Sequence, residues 1–454
     1  MRRPVSILLL LAALAGFWLA GRMNGPLVAL RREYRLDQAE PLENLPPLVA
    51  FTTVAMGGFR GILADLLWVR ASTLQDRGQY FELVQLSDWI TKLEPRFASV
   101  WAYHAWNLAY NISVLFDDPA DRWRWVRHGI VLLRDEGLRY NPGSPQICRE
   151  LGWLFQHKVG GRYDTAHAYY KRAWAEEMTE LLGGGHPDFD ALARSPVARK
   201  RLAGYRLDPA FMKQVDDAYG PFDWRLPQPH AIYWALEGKK HASGFEAVAA
   251  DRMVFQSLAE SFREGRLFFE PQEDLLVLSP DPDLLPRVRA AYEEAMAEHP
   301  DEQTIREAYA YFLRQAVALL YSFNRNQAAR ELFETVKQKF PGDDTAGGFD
   351  TFIYRRFADE VRGLATAEAA RTVEDTIRQS LLCRAVGDDE RAAGYDQLAR
   401  LYWKAARDAR KTNPQLRDQP PLPSYARILK TAREQVLGEL KSEAARKRLG
   451  TSNQ

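Results

Sequence analysis

Three short stretches bring together residue types that can do chemistry. In "DPADRWRWVRHG", residues 118–129, Arg122, Arg124 and Arg127 alternate with Trp123 and Trp125. Guanidinium groups beside indole faces make a cationic aromatic ledge, of the kind that grips anionic polymers, peptides or lipid headgroups. The same residues also read as a plain helix. Asp118 is then the N-cap, Pro119 the first helical residue, and Trp123, Val126, Ile130 and Leu133 a buried stripe. The clean spacing of that stripe favours the helix.

In "GPFDWRLPQPHAIYWALEG", Asp223, Arg225 and His230 would form an acid/base cluster if they met. Trp224 between them, like Trp123 and Trp125, would serve a glycan or peptide site if it were exposed. The structural alternative pairs Asp223 with Arg225 to pin the loop. It places Pro229 at the start of a helix beginning near His230, and packs Tyr233 and Trp234 inside. In "GGGHPDFD", His186, Asp188 and Asp190 are metal donors, but one imidazole and two carboxylates so close in sequence rarely close a coordination shell. That stretch reads as an exposed loop.

Nothing else in the chain carries a catalytic signature. HExxH, CxxC, the P-loop and GxSxG are absent, and no serine has a lysine three residues on. None of the eight histidines has another four residues away to share a metal on one helix face. The acidic loops "SPDPD" and "GDDTAGGFD" lack the ligand order of a calcium loop. Cys148 and Cys383 are too few for a disulfide framework or a zinc site, and both lie in apolar helical patterns that favour free buried thiols. The expectation is a protein without catalysis, cofactor or metal.

The elements that must position these residues are helical. From Ala64 to Phe97, 34 residues, Leu67, Ala71 and Leu74 line a first helix and Gly78 and Tyr80 make a turn. Leu83, Leu86, Ile90 and Leu93 line a second helix, which Pro95 stops. The phase continues: Trp101, Ala105 and Leu108, then a partner helix ending at Gly137 and Pro142; Leu151, Gly152 and Phe155, then Ala166, Tyr170 and Ala173. Further units hold Tyr292, Ala295 and Pro300; Leu313, Val317, Leu320, Ala329, Phe333, Val336 and Pro341; and Gly387, Ala392 and Ala399. The spacing from Pro95 to Pro142 is 47 residues and from Pro300 to Pro341 is 41, so the repeats are irregular. The stretch "FEPQEDLLVLSPDPDLLP" holds one short strand. A last helix with Tyr425, Leu429, Ala432, Val436, Leu440 and Ala444 on one face would cap the stack.

The N-terminus adds a membrane. Arg2 and Arg3 precede seventeen uncharged, mostly apolar residues, Val5 to Gly21. As a helix these span about 25 Å, just short of the hydrocarbon core, and Arg22 can snorkel to complete the crossing. The segment is a cleavable signal peptide or an uncleaved anchor. Phe17, Trp18 and Leu19 continue the apolar run past the small-residue site at Ala13–Ala15, which favours the anchor. The basic residues are nearly balanced across the segment; a short basic head favours a body outside the cytoplasm. With a net charge of +1 no global field draws the chain to nucleic acid. The expected organisation is an anchor over 1–21, a juxtamembrane linker over 22–46, repeats over 47–181, a loop-rich helical insertion over 182–275, repeats over 276–345, and a last repeat with its capping helix over 346–454.

A helical hairpin with a small residue in its first helix, a turn glycine and a terminal proline resembles the tetratricopeptide repeat superfamily. Leu83 stands where a small residue is usual. More narrowly, "GGFRGILADLLWVRA", "YFELVQLSDWITKLEPRF", "DPADRWRWV", "ELGWLFQHKVGG" and "DWRLPQPHAIYWA" resemble a group of uncharacterised, membrane-anchored bacterial proteins. That resemblance implies a helical-repeat fold and an envelope location, and no reaction. The reading is an all-α, irregular tetratricopeptide-like solenoid acting as a membrane-tethered scaffold for protein or peptide partners, body periplasmic. The alternatives are a glycan- or peptide-binding protein using exposed Trp and Arg, and a hydrolase-type enzyme around Asp223 and His230.

Overall fold

The computed structural model describes residues 60–270 and 275–450, with isolated positions between 15 and 30. The chain divides into two compact units, Met1–Val69 with Lys92–Glu94, and Arg70–Thr91 with Pro95–Gln454. Most of the anchor expected at Val5–Gly21 and of the linker at 22–46 lies outside the described residues. Among the described residues no helix is long and apolar enough to cross a membrane. In the first unit, helix α1 (Arg60–Asp76) begins; it buries Ala64 and exposes Ile62, Leu66 and Val69.

The second unit is almost entirely helical. Helix α1 ends in it, and Gly78, at φ +68°, turns the chain into α2 (Tyr80–Leu93); a side chain at that backbone conformation would be strained. Helix α3 (Ala98–Trp106) runs on as a π-helical segment, Asn107–Ile112. Helix α4 (Pro119–Val131) continues as a second such segment, Leu132–Gly137, and α5 (Pro145–Trp153) as a third, Leu154–Val159. Single π-helical turns inside helices concentrate at functional sites. Helix α6 (His167–Leu182) follows.

Residues 182–275, expected as a loop-rich helical insertion, are helical over most of their length. They hold α7 (Phe189–Arg194), α8 (Pro196–Ala203), α9 (Pro209–Tyr219), α10 (Pro227–Lys239) and α11 (Phe245–Glu264). The glycines, prolines and short polar residues there are helix punctuation. Asp188, Ser195 and Asp208 each accept a backbone N–H as an N-cap. Pro196, Pro209 and Pro227 take first-turn positions, where a missing N–H costs nothing. Helix α10 packs between α5 and α11, so this stretch continues the helical packing and does not interrupt it.

Beyond α11 an antiparallel hairpin pairs β1 (Arg266–Glu270) with β2 (Leu275–Ser279), in the register Phe268↔Val277; one strand was expected and two form. Then come α12 (Leu285–Glu298), α13 (Gln303–Ser322), α14 (Asn326–Lys339), α15 (Gly348–Arg362), α16 (Thr366–Ala385) and α17 (Asp389–Thr412). Consecutive members pack on each other: α11 on α12, α12 on α13, α13 on α14, α16 on α17. The expected stripe residues Leu313, Val317, Leu320, Ala329, Phe333 and Val336 are buried. Helix α18 (Tyr425–Glu439) packs on α16 through Ile428, Ala432 and Val436. The chain breaks at Leu440 before α19 (Glu443–Gly450), so Ala444 leaves the apolar face and is exposed.

Candidate aromatic groove

The cationic aromatic ledge weighed for 118–129 does not form. Asp118 caps α4 by accepting from the Ala120 N–H at 2.8 Å, and Trp123 is buried against Tyr170. Trp125 is half-buried beside Phe116. The arginines scatter to separate carboxylates: Arg122 to Asp164 at 2.9 Å, Arg124 to Asp121 at 2.9 Å, Arg127 to Glu177 at 2.8 Å. A stripe of aromatic residues at helical spacing goes into the core, because burying each indole there outweighs any use at the surface.

The acid/base cluster does not form either. Arg225 and Asp223 are a bidentate pair at 2.9 and 2.6 Å, and Arg225 also donates to the Leu267 carbonyl of β1. Trp224 is fully buried; its indole N–H donates to Asp216 at 2.9 Å. His230 is buried beneath Trp174 and Trp224, and its Nε2 donates to the Trp224 carbonyl at 2.9 Å. Burial lowers its pKa to about 4, so the ring is neutral. The three residues thus pin the loop ahead of α10, which starts at Pro227, three residues before the expected start.

The donors of "GGGHPDFD" part company. Asp188 caps α7, Asp190 pairs with Lys213 at 2.8 Å, and His186 lies 2.9 Å from Asp216. The loop is tied down by Trp224, whose backbone N–H donates to the Gly185 carbonyl at 2.7 Å. Sequence reasoning missed Asp216, a buried carboxylate that also accepts from the Phe222 N–H at 3.0 Å.

A different trio could in principle hold a metal. Donor atoms of Asp251, Glu298 and His299 lie within 4.8 Å of one another. The Lys239 ammonium already sits among them, 2.6 Å from Asp251 and 2.7 Å from Glu298, with His299 Nε2 2.8 Å from Asp251. A cation is therefore in place, and the cluster clamps the ends of α10 and α12 to α11.

What the fold does build is a groove. A cavity of about 890 Å³ is walled by Trp106 from α3, Arg149 and Trp153 from α5, and Phe245, Arg252 and Met253 from α11. A second, of about 510 Å³, shares Trp153, Gln156 and Gln256 with it and adds His157, Tyr163 and Arg263. Its rings are open to solvent: Trp106 and Trp153 are each 38% exposed, Phe245 74% and Tyr163 83%. Trp106 stacks on Tyr110 at 5.6 Å, and Trp153 on His157 at 4.6 Å and 10°. Tyr163 covers the other side of His157 at 4.7 Å, and the Tyr110 hydroxyl meets His157 Nδ1 at 3.0 Å. Burial, with Lys158 beside it, lowers the His157 pKa, which keeps the sandwiched ring neutral.

The two π-helical segments Asn107–Ile112 and Leu154–Val159 carry Tyr110 and His157. Trp106 and Trp153 are 47 residues apart, as are Tyr110 and His157 and the hydrogen-bonded pair Ser99 and Gln146. Helices α3 and α5 therefore lie in register and present equivalent rings side by side. Gln156 ties α5 to α11 by donating to the Met253 carbonyl at 3.2 Å and to Ser257 at 2.9 Å. The wall charges of the larger cavity are answered locally, Arg149 by Glu150 and Glu246, Arg252 by Glu302.

Compared with known proteins, the chain matches no family model and no curated sequence. The groove combines rigid exposed rings, amides and paired charges. Such a wall recognises shape, apolar side chains and main-chain polar groups.

Proposed function

We propose that the chain is a non-enzymatic scaffold of the bacterial cell envelope, in which an irregular tetratricopeptide-like stack holds a segment of a partner protein. In this reading the N-terminal apolar segment is the tether, and the folded body lies on the extracytoplasmic, periplasmic side. The partner is a protein or peptide; the membrane is met through the N-terminal helix, and nucleic acid and cofactors have no part.

The observation that carries the reading is the groove built from equivalent faces of α3 and α5 together with α11. Its exposed rings lie where a docked segment would bury them, and large exposed apolar surface on a folded chain marks interaction sites. The larger cavity has room for several side chains. The absence of catalysis is supported by the engagement of the candidate groups: Asp223 with Arg225, His186 with Asp216, and His230 buried and neutral. The glycan alternative that relied on Trp123, Trp125 and Trp224 is disfavoured by the burial of Trp123 and Trp224.

The test is affinity capture from gently solubilised membranes with wild-type chain and with Trp153→Ala/Phe245→Ala. Loss of specific partners from the double variant, with an unchanged melting temperature, supports the reading. Recovery of the same partners by both means that the groove is not the binding surface.

A further inference from the structure

The smaller cavity differs electrically from the larger one. Arg162 and Lys171 share a single carboxylate, Glu264, while Arg263 pairs with Glu260 at 2.5 Å. Three cations thus stand on two carboxylates: Arg162, Arg263 and Glu260 line the smaller cavity, and the Lys171–Glu264 pair is buried behind Arg162. Arg162 is largely exposed, whereas Lys171 and Glu264 are buried, so the buried ammonium already takes up much of the charge that Glu264 can return to Arg162. The adjoining node repeats the imbalance: Arg122 and Lys158 share Asp164, at 2.9 and 2.6 Å. Burial, with Arg162 close by, brings the Lys171 ammonium down to about 8.

Resting on the scaffold reading above, we propose that the groove takes an extended acidic–aromatic peptide segment. Its apolar side chains lie against Trp106, Trp153 and Phe245 in the larger cavity, and an aspartate or glutamate side chain enters the smaller one between Arg162 and Arg263. The two cavities meet at Trp153, Gln156 and Gln256, so one continuous strand of peptide serves both. An acid there completes the missing neutralisation; a lysine or arginine adds to the surplus, and like charges at close range oppose binding.

The experiment selects a phage-displayed library of random 12-residue peptides on the full chain in detergent, on Trp153→Ala, and on Arg162→Gln/Arg263→Gln. Arg162→Gln leaves Glu264 paired with Lys171, and thermal melting checks that each variant folds. Wild type is expected to enrich peptides with an Asp or Glu a few residues from an aromatic or large apolar residue. Trp153→Ala is expected to lose them. The arginine double variant is expected to keep the apolar preference, lose the acid preference, and bind a selected peptide on the order of 5-fold or more weaker at low salt, with less salt dependence. Peptides that need Trp153 but show no acid bias, or favour Lys and Arg, overturn the inference and leave the scaffold reading standing. No peptide that depends on Trp153 overturns both. Sedimentation with phosphatidylglycerol vesicles that requires Arg162 and Arg263, without acid-biased peptides, reassigns the cationic end to lipid and overturns the proposal.

Discussion

The neutral, buried His230 makes stability pH-dependent in a window where carboxylates contribute little. Its ring donates through Nε2 to the Trp224 carbonyl and is enclosed by Phe155, Trp174 and Trp224. Burial holds its folded pKa at about 4, against about 6.5 in the unfolded chain. A depressed histidine pKa means that below the unfolded value the unfolded chain takes up a proton that the folded chain refuses. Stability is complete above about pH 6.5 and declines as pH falls toward 4, at about 1.4 kcal/mol per unit. From pH 7 to pH 5 the loss is on the order of 2 kcal/mol. His157 and His167, also lowered by burial, act with the same sign, so a variant is needed to isolate His230. His230→Gln keeps an amide donor for the Trp224 carbonyl and removes the titration. Urea unfolding at pH 7 and pH 5 is expected to show that the variant loses less stability on acidification than wild type, by about 2 kcal/mol. In thermal melts this is on the order of 4–8 °C, at about 2–4 °C per kcal/mol for a cooperative unit of 150–250 residues. Equal acid sensitivity in the two chains, or a wild type more stable at pH 5, refutes the buried neutral imidazole.

Two glycines make a second test of helix contact. A Cβ on Gly238 of α10 would lie 2.8 Å from Cys148 Cβ of α5, and one on Gly152 of α5 would lie 2.2 Å from Sδ of the buried Met253 and 3.2 Å from the Ala231 carbonyl of α10. Overpacking costs about 1–3 kcal/mol and outweighs the gain of up to about 1 kcal/mol for alanine over glycine in a helix. Gly238→Ala and Gly152→Ala are therefore each expected to lower the melting temperature; a neutral or stabilising effect at both positions contradicts the packing of α10 on α5. The buried thiols give a third: burial pushes Cys148 and Cys383 up to about 12. The native chain at pH 7.5 is expected to react slowly with a maleimide, and both thiols quickly in urea; fast native labelling argues against their burial.

The stripes and their punctuation were legible because they are local. The Asp118–Pro119 start of α4, the Gly78 turn and the run Leu313 to Val336 follow from three- and four-residue spacing and capping chemistry. Residues 182–275 read as richer in loop than they are because Ser195–Pro196 and Asp208–Pro209 look like loop and act as helix starts. The groove was not legible because Trp106, Trp153 and Phe245 have the same types and spacing as core aromatics. Only the neighbouring chain decides which ring is covered. One signal was available: Trp106 and Trp153 are separated by the same 47 residues as Pro95 and Pro142, and both fall off the buried Trp101–Ala105–Leu108 stripe and its successor. The clamp at Lys239, Asp251, Glu298 and His299 joins positions up to sixty residues apart, and no local pattern announces it.

Photo-crosslinking in intact cells tests the groove most directly. A benzophenone amino acid placed at Phe245, 74% exposed at the groove wall, is compared with one at Val197, 70% exposed on α8. A discrete crosslinked partner at position 245, lost with Trp153→Ala and missing at position 197, is the expected result. Equal crosslinking at both positions, or a partner at 197 alone, would contradict the groove as the place where this chain meets its partner.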